Sequence, residues 1–279
     1  MRRLDRVGEM KEVSMTGLLE GKCAVIAGAG RGIGREVALV FARHGAKVVV
    51  NDTGTELDGT GTDHAPAEQV VAEIRKSGGT AVPSFASVAD FAAAGSIIDA
   101  CVKEFGRIDV LVNCATIARG GQLWETSEAD SDAVLAVTLK GTLNTCTHVL
   151  QAMMRQKTGR IVNFASPSWL GVTGADAYTA AKGGVVSLTR GIASRMKLEG
   201  YKITCNAIAP TVFRSKLTAW MYGDDELGQA TKARSLSRIP LGRLGEPEDF
   251  VGILLYLLSP ASNFTTGQVL YIDGGFTAG

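Results

Sequence analysis

The chain has 279 residues, of which 46% are hydrophobic and 20% charged, and its formal net charge is +1. That balance suits a globular protein with a sizeable core. The lysines and arginines form no basic stripe and no apolar run reaches about 18 residues, which argues against a nucleic-acid-binding protein and against a transmembrane helix.

Residues 1–16 are charged and lack an apolar segment, so they read as a flexible tail rather than a secretory signal, with Met15 as an alternative start. A docking arm is the competing reading. From residue 17 to 279 strand-like and helix-like stretches alternate without a break. CAVIAG (23–28), KVVVND (47–52), TAVPSF (80–85), IDVLVN (108–113), RIVNFA (160–165), ITCNAIA (203–209) and QVLYID (268–273) are short apolar runs, as expected for strands covered on both faces. Helices are predicted over 33–43, 66–77, 90–105, 129–156, 176–199 and 247–258. This rhythm implies one α/β domain, a doubly wound parallel sheet of about seven strands with helices on both faces. The rhythm lapses over roughly 211–246, and a substrate lid is expected at about 211–238. Five cysteines and three histidines lie far apart, with no zinc-ligand spacing, so reduced thiols in a cytoplasmic protein and no metal site are expected.

The first strand runs into AGAGRGIG, with Gly28, Gly32 and Gly34 in a G-x-x-x-G-x-G pattern. Glycines there let the backbone approach a pyrophosphate, and the following helix offers its positive end to the phosphates. Asp52 ends the second strand, placed to accept hydrogen bonds from an adenosine ribose and to repel a 2′-phosphate. That argues for NAD(H) over NADP(H), although Arg31 and Lys47 work against the preference.

In FASPSWLGVTGADAYTAAKGG (164–184), Tyr178 and Lys182 lie four apart and so share one helix face. A neighbouring ammonium is expected to lower the phenol pKa, so that the tyrosine exchanges a proton with an alcohol or ketone while hydride moves on a nicotinamide. A serine hydroxyl upstream would hold the substrate oxygen.

These segments, together with NAIAP, GRLGEPED and TGQVLYIDGG, resemble the short-chain dehydrogenase/reductase family over about residues 17–275. The resemblance implies a Rossmann fold with Tyr178 as acid/base, Lys182 as pKa modulator and ribose ligand, and Ser166 orienting the substrate oxygen. Thr138 stands where the family often has an asparagine that anchors a relay water. For the cofactor it implies Gly28, Arg31, Gly32, Ile33 and Gly34 in the first loop and Asp52, Ser87 and Val88 around the adenosine. Asn113, at the end of the fourth strand, would line the cofactor site, with Ala115, Pro210 and Val212 as further contacts. The stretch VVVNDTGTELDGTGTDHAP is loosely similar to the hydroxyacyl-CoA dehydrogenase domains of multifunctional enzymes.

The family pattern is broken at Ala27 (usually Thr), Thr116 (usually Gly), Thr138 (often Asn) and Ser87 (usually Asp). The usual serine-to-tyrosine gap would land on Ala165, whereas alignment through RIVNFAS gives Ser166, with Ser168 as the substitute. Substrate contacts are expected from Ser168, Trp169, Phe213 and Leu217, with Ile117, Leu170, Trp220, Met221 and Tyr222 as further apolar candidates. Arg119, Arg214 and Lys216 are candidate grips for a carboxylate or a CoA phosphate. The expected substrate is a small, fairly apolar alcohol or ketone, or a hydroxyacyl compound. Family likeness implies a homotetramer. The competing functional reading is a non-catalytic dinucleotide-binding partner or regulator, motivated by the altered Thr138, Thr116 and Ser87 positions.

Overall fold

Seven strands form one sheet in the order β3-β2-β1-β4-β5-β6-β7, and every neighbouring pair is parallel. They are β1 (Cys23–Ala27), β2 (Lys47–Asn51), β3 (Thr80–Ser84), β4 (Val110–Asn113), β5 (Thr158–Phe164), β6 (Lys202–Pro210) and β7 (Val269–Ile272). The computed structural model describes residues 17–119, 121–171, 176–214, 216–223 and 225–278. The predicted tail lies outside the described residues.

The strands lack polar alternation because both faces are covered. In β1, Ala24 and Ile26 pack into one apolar cluster with Val37, Phe41 and Leu254. Cys23, Val25 and Ala27 point the other way, into a cluster with Ile97, Val149 and Met153. The first layer is supplied by α1 (Gly32–Arg43), α2 (Ala65–Lys76) and α8 (Val251–Leu258). The second comes from α3 (Phe91–Phe105), α5 (Gly141–Gln156) and α6 (Asp176–Leu198). From β1 the chain moves outward to β2 and β3, then returns across β1 to β4. The switch leaves a crevice outside the carboxyl ends of β1 and β4, where ligands bind in open α/β sheets.

The predicted helix over 129–156 is interrupted. A short α4 (Glu128–Val134) runs into a π-helical turn at Leu135–Lys140 before α5 begins. The turn is held by side chains: the Thr142 hydroxyl donates to Thr138 O at 2.8 Å. Just beyond it, Gly141 lets α5 close on Val88, whose Cγ2 would lie 2.6 Å from an added Cβ. Such one-residue insertions redirect the side chains that follow, and they occur frequently at functional sites. The lid region also holds more order than expected. It contains a 3₁₀ stretch, Lys216–Tyr222, and α7 (Glu226–Leu236), whose N-cap Asp225 accepts from Gly228 N–H. Among the described residues no helix is long and apolar enough to cross a membrane.

All five cysteines are free thiols. Burial raises the pKa of Cys101, Cys114, Cys146 and Cys205, that of Cys146 to about 12. The folded chain therefore keeps protons that unfolded thiols release near pH 9, and this stability is lost as pH rises above that value. Lys182, pushed down to about 8 by burial, acts in the opposite direction, but it is one group against these four thiols and Cys23, which burial also raises. A fall in Tm of roughly 5–10 °C is expected between pH 8 and 10. Calorimetric scans across that range check it; a flat Tm would contradict the burial of the thiols.

Candidate active site

A cavity of about 710 Å³ occupies the crevice at the carboxyl ends of β1 and β4. Its size is that of a cofactor site. Gly28 turns the chain off β1 with φ +80, and an added Cβ would lie 2.6 Å from Ala115 N. A Cβ on Gly34 would lie 1.9 Å from Gly28 O. The loop is thus folded as tightly as glycine allows, which carries the backbone of residues 28–34 up to the cavity. No acidic residue lies in the first turn of α1, and its N-cap, Arg31, makes no side-chain capping bond. The positive end of the helix is left for an anion.

Asp52 forms the adjoining wall. Its two oxygens accept from Gly30 N–H and Gly54 N–H, each at 2.7 Å, which fixes the carboxylate toward the cavity. Gly54 has φ +68, and Asp63 O would lie 1.5 Å from a Cβ there. The segment 53–63 is therefore pinched at its base and runs along the cavity wall. At its far side, Leu57 O accepts from Ala118 N–H at 3.1 Å and Asp58 O accepts from Arg119 Nε. Thr55, Glu56, Leu57 and Gly59 of this strap line the cavity. Sequence reasoning saw Asp52 and missed the strap; its signal was the run of Gly, Thr and Asp after β2.

Arg31 lines the cavity, but its Nη1 donates to Thr55 O at 2.7 Å and its Nη2 lies 3.9 Å from Asp63. Gly32, Ile33, Ser87, Val88, Ala115 and Pro210 also line it. Asn113 does not. It lies beneath the floor, where its amide donates to Asn163 Oδ1 at 2.9 Å and its carbonyl accepts from the Thr145 hydroxyl at 2.8 Å. Asn163 in turn donates to Thr189 Oγ1 at 2.9 Å. This buried chain ties β4 and β5 to α5 and α6 below the site, and fully satisfied networks of this kind rigidify a core. Asn113, expected at the cofactor site, thus supports the cavity floor from below and does not line it.

At the other end of the cavity stand Ser166, Tyr178 and Lys182. Ser166 follows β5, and its side chain stands close enough to Tyr178 to lower the phenol pKa. Tyr178 sits near the start of α6, with Lys182 one turn on, its Nζ 5.4 Å from the phenol ring centroid. Lys182 Nζ donates to Phe164 O at 2.6 Å. Of the candidate positions, Ser166 carries the hydroxyl at this end; Ala165 has none, and Ser168 faces a second cavity.

The expected lowering of the tyrosine pKa is not what the protein produces. Burial pushes Tyr178 up to about 12, against a smaller lowering by the Ser166 side chain. Burial also pushes Lys182 down to about 8. Desolvation outweighs the attraction inferred from spacing alone. The phenol is therefore held as an acid at neutral pH.

Other expected positions fall elsewhere. Thr138 is fully buried and does not reach the cavity; its hydroxyl lies 3.0 Å from Thr116 Oγ1, and Thr116 is the residue that lines it. Val212 lines the second cavity, not the first. Trp169 lines neither; its Nε1 donates to Tyr271 OH at 3.0 Å. Phe213 does line the main cavity, as does Ile117. The side chains of Leu217, Lys216 and Trp220 lie outside the described residues. Arg119 is engaged by Asp58 O and lies 3.8 Å from Asp130, and Arg214 lies 3.6 Å from Glu246. Neither lines the main cavity or the second one.

A glycine loop at a sheet switch point, an acidic residue after β2 and a Ser–Tyr–Lys set at the far end define a dinucleotide-binding α/β protein built for oxidation and reduction. The chain belongs to the short-chain dehydrogenase/reductase family. Residues 28–277 match the family model described as enoyl-(acyl carrier protein) reductase. The chain is 39% identical over 258 residues to the (2S)-[(R)-hydroxy(phenyl)methyl]succinyl-CoA dehydrogenase subunit BbsD of Thauera aromatica, covering 92% of this chain and 97% of that protein. It is 37% identical to the 3-oxoacyl-[acyl-carrier-protein] reductase FabG of Thermotoga maritima, covering 92% and 98%. A solved short-chain type dehydrogenase/reductase from Mycobacterium marinum superposes with a TM-score of 0.82 at 30% identity, covering 94% of this chain and 97% of that one. The protein is an oxidoreductase of CH–OH and keto groups.

Proposed function

We propose that the protein interconverts a secondary alcohol and a ketone with NAD(H), using Tyr178 as the proton donor and acceptor. The observation that carries this reading is the Ser166–Tyr178–Lys182 set closing one end of a cavity whose other end is the glycine loop and Asp52. The residues present fit a dinucleotide: glycines that a Cβ would displace, an uncapped helix start, and a carboxylate fixed at ribose height. Bound there, the nicotinamide supplies the hydride acceptor or donor. The protein does the rest. Ser166 holds the substrate oxygen, Tyr178 exchanges its proton with that oxygen, and Lys182, anchored on Phe164 O, supports the phenol and reaches toward the ribose. Ile117, Val137 and Phe213 give this end an apolar wall.

The preference for NAD(H) rests on Asp52 and on the engagement of Arg31 by Thr55 O and Asp63. A 2′-phosphate would meet a fixed carboxylate beside a cation that is already occupied. Both relatives named above act on acyl thioesters, one attached to CoA and one to acyl carrier protein, so a hydroxyacyl or oxoacyl substrate is the favoured class. A homotetramer in the cytoplasm, with 211–238 as the substrate lid, completes the reading.

Parallel titrations with NADH and NADPH, followed by tryptophan quenching or heat release, test it. NADH is expected to bind at least about tenfold more tightly, and Asp52→Asn to narrow the gap, since like charges in contact are costly. Preference for NADPH would overturn the Asp52 argument. Dinucleotide binding without turnover on any alcohol or ketone would instead favour the non-catalytic reading.

A further inference from the structure

Ser166 and Thr211 line two cavities at once. The second has a volume of about 300 Å³ and adjoins the catalytic end of the first through these two residues. Its opposite wall comes from the lid: Arg234 and Ser235 of α7, and Arg238 two residues past its end. Among the described residues no carboxylate lines it. The two arginines are four apart, and both face the cavity. Arg238 lies over the Phe276 ring at 4.4 Å, which orients its guanidinium. Among the described residues no acidic side chain pairs with either arginine.

A second observation points the same way. The Ser168 hydroxyl oxygen is buried on the wall of this cavity and has no hydrogen-bond partner. Buried hydroxyls are almost always bonded, so an unpartnered one on a residue that lines a cavity is a donor that a rotation of the side chain can present to a ligand atom. Ser168 N–H is already used, donating to Ser166 Oγ at 3.2 Å. Two unpaired guanidiniums and an unused hydroxyl form a site for an oxyanion, the chemistry that arginine forks recognise best.

We infer that this cavity is an oxyanion subsite of the substrate pocket. The substrate carries a carboxylate or phosphate that reaches Arg234, Arg238 and Ser168 while its alcohol or keto carbon lies at Ser166 and Tyr178. This rests on the Ser166–Tyr178 end being the reaction centre. It places substrate selection on α7 of the lid, so an anionic substrate would draw the lid onto the body by binding both.

The test uses four probes in two matched pairs, titrated into the NADH-saturated protein and followed by heat release. One pair is 4-oxopentanoate and its methyl ester, which differ in the carboxylate. The other is the acetoacetyl thioester of 4′-phosphopantetheine and that of pantetheine, which differ in the phosphate. Wild type is expected to prefer the anionic member of at least one pair by tenfold or more, and the pair showing it identifies the anion. In Arg234→Gln/Arg238→Gln that preference should collapse while NADH affinity is kept, and Ser168→Ala should reduce it in part. No anionic preference in wild type, or one unchanged in the double variant, overturns the subsite. Because the readout is binding, the subsite stands or falls separately from the proposed activity. Turnover without charge preference would retain the activity and discard the subsite; charge preference without turnover would do the reverse.

Discussion

Tyr178→Phe is expected to lower turnover by about 10²- to 10⁴-fold, the usual contribution of a positioned proton donor, while NADH binding is retained. The phenol is partly buried beside Ser166 at the cavity wall, and phenylalanine refills nearly the same space, so the fold should survive the change. With Tyr178 held near 12 and Lys182 near 8, the wild-type pair has a definite pH signature. Below about pH 8 the phenol is protonated and Lys182 is cationic, the state that delivers a proton to a ketone. As pH rises past that value Lys182 loses its charge, and ketone reduction should decline. Alcohol oxidation, which must shed a proton, should rise over the same interval. Steady-state rates in both directions from pH 6 to 10 check this. Undiminished turnover in Tyr178→Phe would remove the tyrosine from the mechanism.

The sheet was legible in the sequence because each doubly covered strand is a short apolar run between turns, and all seven such runs became strands. The cofactor end was legible because a glycine loop and an acidic residue at a strand end are local features. Three things were not. The break at 135–140 leaves no trace in helical periodicity, because a single π turn shifts the pattern by one residue in a window of 28. Thr138 was therefore placed by family likeness, whereas the structure turns its hydroxyl to Thr116 and brings Thr116 to the cavity. The tyrosine pKa was misjudged because spacing reveals the ammonium and conceals the burial, and burial is the larger effect. The strap over 53–63 and the two arginines at and just past the end of α7 were missed because their positions are set by long-range contacts. α7 reads ELGQATKARSL, a mostly polar segment with little amphipathic pattern, and only the folded lid brings Arg234 and Arg238 opposite Ser168.

Gly34→Ala is the sharpest test of the cofactor loop, because the obstacle is backbone and cannot rotate away. Gly34 has no unusual φ, so conformational freedom is not the reason for glycine here; space is. The added methyl would lie 1.9 Å from Gly28 O, 2.8 Å from Gly28 C and 3.1 Å from Ala29 Cα. Either α1 moves off the sheet or the loop lifts from its seat, where Gly28 N–H and Ala29 N–H both donate to Asn51 O at 2.8 Å. Moving α1 disturbs Val37 and Phe41 in the core; lifting the loop removes Gly28 from its close approach to Ala115. Overpacking of this kind costs about 1–3 kcal/mol, and here the strain falls on the surface that receives the dinucleotide. Tm should fall by several degrees, and NADH affinity should drop by at least about tenfold, since misplaced phosphate-binding N–H groups lose their hydrogen bonds. Gly252→Ala in α8 is the matched control, because nothing lies within 4 Å of the added methyl. In a helix with room for it, alanine should be neutral or stabilising by about 0.4–1 kcal/mol. Differential scanning calorimetry and NADH titration of the two variants together separate the two expectations. If Gly34→Ala bound NADH as wild type does, the close packing of α1 against Gly28 would not be what shapes the cofactor site.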